Sequence, residues 1–222
     1  MNAANATNSR AKPARQREPR WPVVVALIAA GCMYWGLPEE LSVGPRWLLL
    51  AIILVALIPL VITHRTGRHG LNHLLAVIVD GILTIFLIGS LIFLVQGLPS
   101  HREPPGALLR SAAGLWMTNV LVFALWYWRL DAGGPHAREG ASGPIRSAFL
   151  FPQMTRPESE QQGAPWSPQF VDYVFLAFNT STAFSPTDTA VLSRGAKLAM
   201  MAQALISLLI LALLAARAVN IL

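Results

Sequence analysis

SPQFVDYVFLAFNTSTAFSPTDTAVLSRGAKLAMMAQALISLLILALLAARAVNIL, residues 167–222, joins a short apolar helix to a long one through a hydroxyl-rich break that contains proline. Ser167-Pro168 reads as a helix start, because a serine oxygen accepts from the first unpaired N–H groups and proline at the first helical position gives up no bond. A helix from Pro168 to about Asn179 rises about 18 Å at 1.5 Å per residue, against a hydrocarbon core of about 30 Å. It reaches about halfway. Asn179, Thr180, Ser181, Thr182 and Ser185 then bring side-chain oxygens and amides to the backbone and compete with the helix. Ser185-Pro186-Thr187-Asp188 repeats the start signal, with Ser185 as cap and Asp188 in the first turn. A half-helix, a polar strip and a new helix have the form of a re-entrant hairpin. Irregular backbone persists at membrane depth only where protein or a water-filled cavity satisfies it.

The rest of the chain agrees with a membrane setting. Of 222 residues, 54% are hydrophobic and 13% charged, and the apolar residues come in long runs, which excludes an ordinary soluble domain. The predicted fold is an all-α integral membrane protein: four N-terminal transmembrane helices, then half-helix, polar break and long terminal helix. The single cysteine, Cys32, excludes an intrachain disulfide. The net charge of +6 does not point to nucleic acid, because five of the seventeen basic residues (Arg10, Lys12, Arg15, Arg17, Arg20) precede the first apolar run and serve to orient it.

Residues 1–20 are polar and basic and are expected to form a disordered cytoplasmic tail. The transmembrane region, 21–128, holds four runs, 21–37, 47–63, 71–98 and 107–128. The first has Trp21 at one end and Tyr34 and Trp35 at the other, as suits two interfaces. Its Leu27 to Cys32 is loosely like a lipoprotein cleavage box, but the long leader ahead of it favours a retained helix. Pro59 predicts a kink in the second run. The fourth closes on Trp126, Tyr127 and Trp128, read as an aromatic girdle. Residues 129–166 form a Gly/Pro-rich loop of balanced charge, with one apolar patch, Phe149-Leu150-Phe151-Pro152, expected to make a packing or interfacial contact. The hairpin fills 167–222.

A cytoplasmic N-terminus places there five basic residues of the tail, two of the 64–70 turn and four of the long loop, while the turns at 38–46 and 99–106 carry one each. The positive-inside bias therefore predicts an inner-membrane protein with its N-terminus in the cytoplasm. Charge does not decide whether 170–184 crosses or dips and returns. Depth offers a second argument, since an intramembrane ionisable group normally has a partner. Asp80 lies in the cytoplasmic half of the third span and Arg110 near the opposite surface. Arg217 shares the depth of Asp80 if the last helix ends in the cytoplasm, so an Asp80–Arg217 pair is expected, with the crossing hairpin. Asp80 as a proton or cation site is the functional alternative.

His64, His69 and His73 cluster, but Gly67 and Gly70 break the segment and no fourth ligand is near in sequence, so they are read as headgroup-facing rather than metal-binding. Gly81, Gly89, Ala212 and Ala216 allow close helix contact. The chain carries no P-loop, nucleophile elbow, zinc-protease motif or CxxC pair, and neither enzymatic activity nor a cofactor or metal is expected.

Tyr173, Phe175, Thr180-Ser181-Thr182, Thr187-Asp188, Arg194 and Lys197, followed by a long helix, resemble the pore helix, filter and inner helix of two-span potassium-channel modules. The segment Thr182 to Asp188 is one residue longer than that filter and has neither of its glycines, so selection by a ring of backbone carbonyls is not implied. Trp126 to Asp131, Phe151-Pro152-Gln153-Met154, Ala183 to Asp188 and Arg217 to Asn220 resemble a group of bacterial multi-pass membrane proteins, and distantly the DUF1345 group, across about residues 107–222. That resemblance implies a place in the inner membrane and no particular chemistry.

Two functions are compatible with these features. In the first, a channel-like homo-oligomer uses Asn179, Thr180, Ser181, Thr182 and Ser185 to line a polar pathway, and Asp188 attracts monovalent cations at its mouth. In the second, the protein does not conduct, and the hairpin is a structural plug or docking element whose hydroxyls bond neighbouring helices. The lipid bilayer is the partner in both; nucleic acid is not.

Overall fold

A computed structural model describes residues 18–97, 105–140, 146–155, 166–185 and 188–219. Among them are seven α-helices: α1 (Trp21–Trp35), α2 (Trp47–Arg65), α3 (His69–Gly97), α4 (Pro105–Leu130), α5 (Pro135–Gly140), α6 (Phe170–Ala183) and α7 (Arg194–Val219). The only strands among the described residues are β1 (Phe149–Leu150) and β2 (Ala190–Val191), which pair antiparallel. Helices α2, α3, α4 and α7 are long and apolar enough to cross a membrane, and α1 is a shorter apolar helix. The expected all-α membrane architecture is present.

Helix α4 is the axis of the bundle. Leu115, Val120, Val122, Ala124, Leu125 and Tyr127 are almost wholly buried, and α4 packs against α1, α3, α6 and α7. By contrast α2 turns Leu54, Val55, Ile58 and Ile62 outward, the composition of a surface that faces lipid. Pro59 stands inside α2, and Thr63 Oγ1 donates to its carbonyl at 2.7 Å. Asn72 Nδ2 reaches back from α3 to Leu60 O and Thr63 Oγ1 at 2.8 and 2.9 Å. The end of α2 is thereby stapled to the start of α3.

The Trp126-Tyr127-Trp128 girdle is not a lipid-facing belt. Tyr127 and Trp128 are buried, and each side chain of the three donates inside the protein: Trp126 Nε1 to Thr84 Oγ1 at 2.9 Å, Tyr127 Oη to Gln203 Oε1, Trp128 Nε1 to Glu18 Oε2 at 2.8 Å. Residues 18–20 likewise depart from the disordered tail expected there, since Glu18 is buried; residues 1–17 lie outside the described residues.

Contacts along α4 give the direction of every neighbour. The C-terminal end of α4, here the Asp131 end, meets the start of α1, where Arg20 lies over the Trp128 ring at 5.3 Å. It also meets the start of α6, where Phe170 packs edge-on against Trp128 at 6.0 Å. Further up α4, Trp116 packs against Phe178 at 5.5 Å, so α6 runs into the bundle away from the Asp131 end. Helix α7 starts at that same end, because Leu192 N–H donates to Ala148 O at 2.8 Å and Ala148 N–H to Asp131 Oδ1 at 2.6 Å. It then climbs to Asn119, which bonds Ser207 at 2.9 Å. Helices α6 and α7 are therefore parallel, and the chain between them returns to its starting end. The 14 residues of α6 rise about 21 Å, and the stretch from Ala183 to Ala190 reaches about 23 Å at about 3.3 Å per residue. Helices α6 and α7 thus start from the same end of the bundle, the arrangement of a returning hairpin.

The helix boundaries differ from those the local signals predict. Helix α6 is capped by Gln169, whose N–H donates to Asp172 Oδ2 at 2.7 Å, rather than by Ser167. It continues through Asn179 to Ala183, because Thr180 and Thr182 satisfy their hydroxyls on their own helix, at Leu176 O (2.8 Å) and Phe178 O (3.0 Å). Phe184 ends it with φ +53°, a left-handed conformation unusual for a side chain of that size. The next helix starts at Arg194 rather than after Ser185, with Ser193 Oγ accepting from Ala196 N–H at 3.1 Å.

Of the small residues expected at contacts, Gly89 is one: a Cβ built there stands 2.4 Å from Val43 Cγ2, whereas Gly81 faces open space. Gly89→Ala should therefore lower stability by about 1–3 kcal/mol, as overpacking does. Gly81→Ala should have little effect and Val43→Ala should relieve the clash, with all three read as melting temperature of the purified protein.

Candidate functional site

The polar groups of the bundle converge at the Asp131 end. After α4, Ala132, Gly133 and Gly134 all take positive φ and turn the chain so that α5 packs on the 131–133 turn at the end of α4. This aims Arg138 inward: Nη1 donates to Trp128 O and Asp131 O, each at 2.8 Å, while Nε and Nη2 grip Glu18 at 2.8 and 2.9 Å. A second pair, Arg20 with Glu139 at 2.9 Å, lies alongside. These bonds tie the residues before α1 to the loop after α4.

Asp131, 0% exposed, is the second hub. Its Oδ1 accepts from Ser147 Oγ at 2.5 Å and Ala148 N–H at 2.6 Å, and its Oδ2 from Tyr173 Oη at 2.6 Å. Multiple hydrogen bonds to one carboxylate offset the cost of burying it. The stretch at 146–155 is consequently more than a loop. Phe149 and Phe151, buried as the apolar patch suggested, pack on Tyr173 and on each other.

Deeper in the bundle lies a network of amides and hydroxyls. Gln203 Nε2 donates to Ala177 O and Ser181 Oγ, both at 2.8 Å, and its Oε1 accepts from Tyr127. Asn119 Nδ2 donates to Ser207 Oγ at 2.9 Å. The candidate pathway residues are thus divided. Thr180 and Ser181 are sealed between α4, α6 and α7; Asn179 and Ser185 are half-buried; Thr182 and Asp188 are exposed. They do not share one face of the chain.

The expected Asp80–Arg217 pair gives way to another. Asp80 Oδ2 accepts from Arg129 Nε at 2.5 Å, with both residues buried. The side chain of Arg217 lies outside the described residues, and its helix runs away from the Asp131 end. Arg129, the first residue of the loop predicted from the sequence, belongs to the last turn of α4. Side chains lean toward the N-terminus of their own helix, so one at the last turn of α4 leans into the bundle, and a guanidinium is long enough to reach α3. Among the described residues no group of three or more His, Cys, Asp or Glu side chains is placed to hold a metal ion.

Network residues not predicted from the sequence nevertheless carry signals in it. Glu18 is the lone acid in a basic tail, and Gln203 and Asn119 are amides inside apolar runs, where a polar group needs a partner.

Two substitutions follow from these contacts. Asp131→Asn leaves at least one buried donor unmatched and should cost about 1–3 kcal/mol, with Arg146 becoming a faster trypsin site. Arg129→Met should destabilise by about 3–5 kcal/mol, because it strands a buried carboxylate. The double change with Asp80→Leu should recover most of that loss, both measured by thermal or denaturant unfolding.

No family model, curated protein or solved structure matches the chain, and what the site does is read from its own geometry.

Proposed function

We propose that the chain is a multi-pass protein of the bacterial inner membrane, with its Asp131 end in the cytoplasm, and that its hairpin is a docked structural plug that does not conduct ions. One observation carries this reading: Ser181, central to the polar strip and 0% exposed, accepts from Gln203, whose amide is in turn engaged by Tyr127 and Ala177. A hydroxyl already bonded to a neighbouring helix offers nothing to a passing ion. Such bonds average about 0.6 kcal/mol each in a membrane protein, so several acting together hold a half-helix in place without covalent help.

Orientation is supported by charge. Arg20, Arg65, Arg68, Arg129, Arg138, Arg146, Arg194 and Lys197 stand at the Asp131 end among the described residues, against Arg46, Arg110 and Arg217 toward the other. Return of the hairpin adds Arg194 and Lys197 to the basic side and sharpens the positive-inside bias.

A channel-like homo-oligomer passing monovalent cations is the second reading, favoured by the exposure of Thr182 and Asp188. A path lined by these two would be shared between copies, outside the sealed core of each. Cation flux into liposomes decides between the two. Wild-type protein is expected to match protein-free vesicles, with Thr182→Val unchanged from wild type; wild-type flux that Thr182→Val reduces would overturn the plug.

A further inference from the structure

The fold adds a fourth member to the histidine cluster of the sequence. His64, His69 and His73 are exposed at the Asp131 end, and His136 on α5 is half-buried among them. Its ring centroid lies 5.3 Å from that of His64 and 4.3 Å from that of His69. His73 closes the group from α3, its Nδ1 standing 3.6 Å from where a Cβ on Gly134 would be. Imidazoles from the end of α2, the first turns of α3 and α5 therefore meet in one place.

The other charged groups near His136 are Arg20, from the start of α1, and its neighbours on α5, Arg138 and Glu139. Among the described residues, the two carboxylates near His136 are engaged by arginines: Glu139 by Arg20 at 2.9 Å, Glu18 by Arg138 at 2.8 Å. A proton arriving on His136 thus meets the charge of Arg20 and of the neighbouring rings.

We propose that this four-histidine cluster is a pH-sensitive latch: neutral rings hold α5 against the α2–α3 turn, and protonated rings repel one another and drive α5 off it. Because α5 carries Arg138, its release also loosens Glu18 and the segment leading into α1. The latch responds to acid on whichever side of the membrane the Asp131 end faces.

The expected direction agrees. Burial first, then Arg20, His69, His64 and His73, push His136 down from 6.5 to about 4. The detached segment binds a proton that the docked one does not, so docking is fully favoured above about pH 6.5 and is lost as pH falls toward about 4. An ordinary imidazole titrates across this same window.

Double electron–electron resonance on the full chain in lipid nanodiscs tests the latch. Exposed Arg68 and Ala137 are replaced by cysteine for nitroxide labels, in a background where Cys32 is serine. A short label separation at pH 7.5 is expected to lengthen at pH 5.0 and to return when neutrality is restored. His136→Gln should keep the short separation at both values, and His69→Gln, which leaves α5 intact, should move the midpoint to lower pH. A separation unchanged by pH would overturn the proposal. So would an irreversible change, or a full response persisting in both variants.

Discussion

The Asp131 carboxylate accepts from two stretches of chain far apart in sequence, the 147–148 backbone and side chain on one side and the Tyr173 phenol on the other. Without it β1 has no fixed place, and with β1 goes β2, which brings the chain back from the interior and sets the starting level of α7. The re-entrant hairpin is thus positioned from outside itself. Where water is scarce, a buried polar group is tolerated only when its lone pairs are matched, and matching them has drawn the loop after α4 and the start of α6 onto one atom group.

The same demand explains the division of labour among the helices. Helix α4 carries the partners: Asn119 and Tyr127 for α7, Trp126 for Thr84 on α3, Trp128 for Glu18, Arg129 for Asp80. Helix α2, which carries few buried polar groups, lies at the periphery with its apolar face outward. Polar side chains inside apolar runs choose neighbours, and apolar ones accept whatever lies next to them, so the few amides and charges on α4 determine the arrangement.

How much of this was legible depended on the scale of the signal. The spans could be read because a run of apolar residues long enough to cross a bilayer has few other uses. The return of the chain to the end where α6 starts could not, since Arg194 and Lys197 satisfy a charge count on either side and only the pairing of Leu192 with Ala148 fixes where they stand. The hydroxyl strip reads as a break because Thr and Ser are indifferent helix formers. Inside a protein Thr180 and Thr182 bond to carbonyls one turn back and stay helical. Asp80 was recognised as needing a partner, but depth counted along helix axes ignores the reach and lean of Arg129. The aromatic triplet was assigned to the interface by composition, although its indoles and phenol carry donors that a bundle can use as well as a headgroup can.

The Glu18–Arg138 bond spans 120 positions of sequence, and this separation imposes an order on biogenesis. The first apolar helix leaves the ribosome long before its clamp exists, so the residues just ahead of it wait, unfastened, while α2, α3 and α4 are made. Contacts this remote close late, after local structure has formed. The ion pair can therefore close only after α1 to α4 have been made, and a nascent chain halted before α5 carries those four helices without the joint that holds its beginning in place.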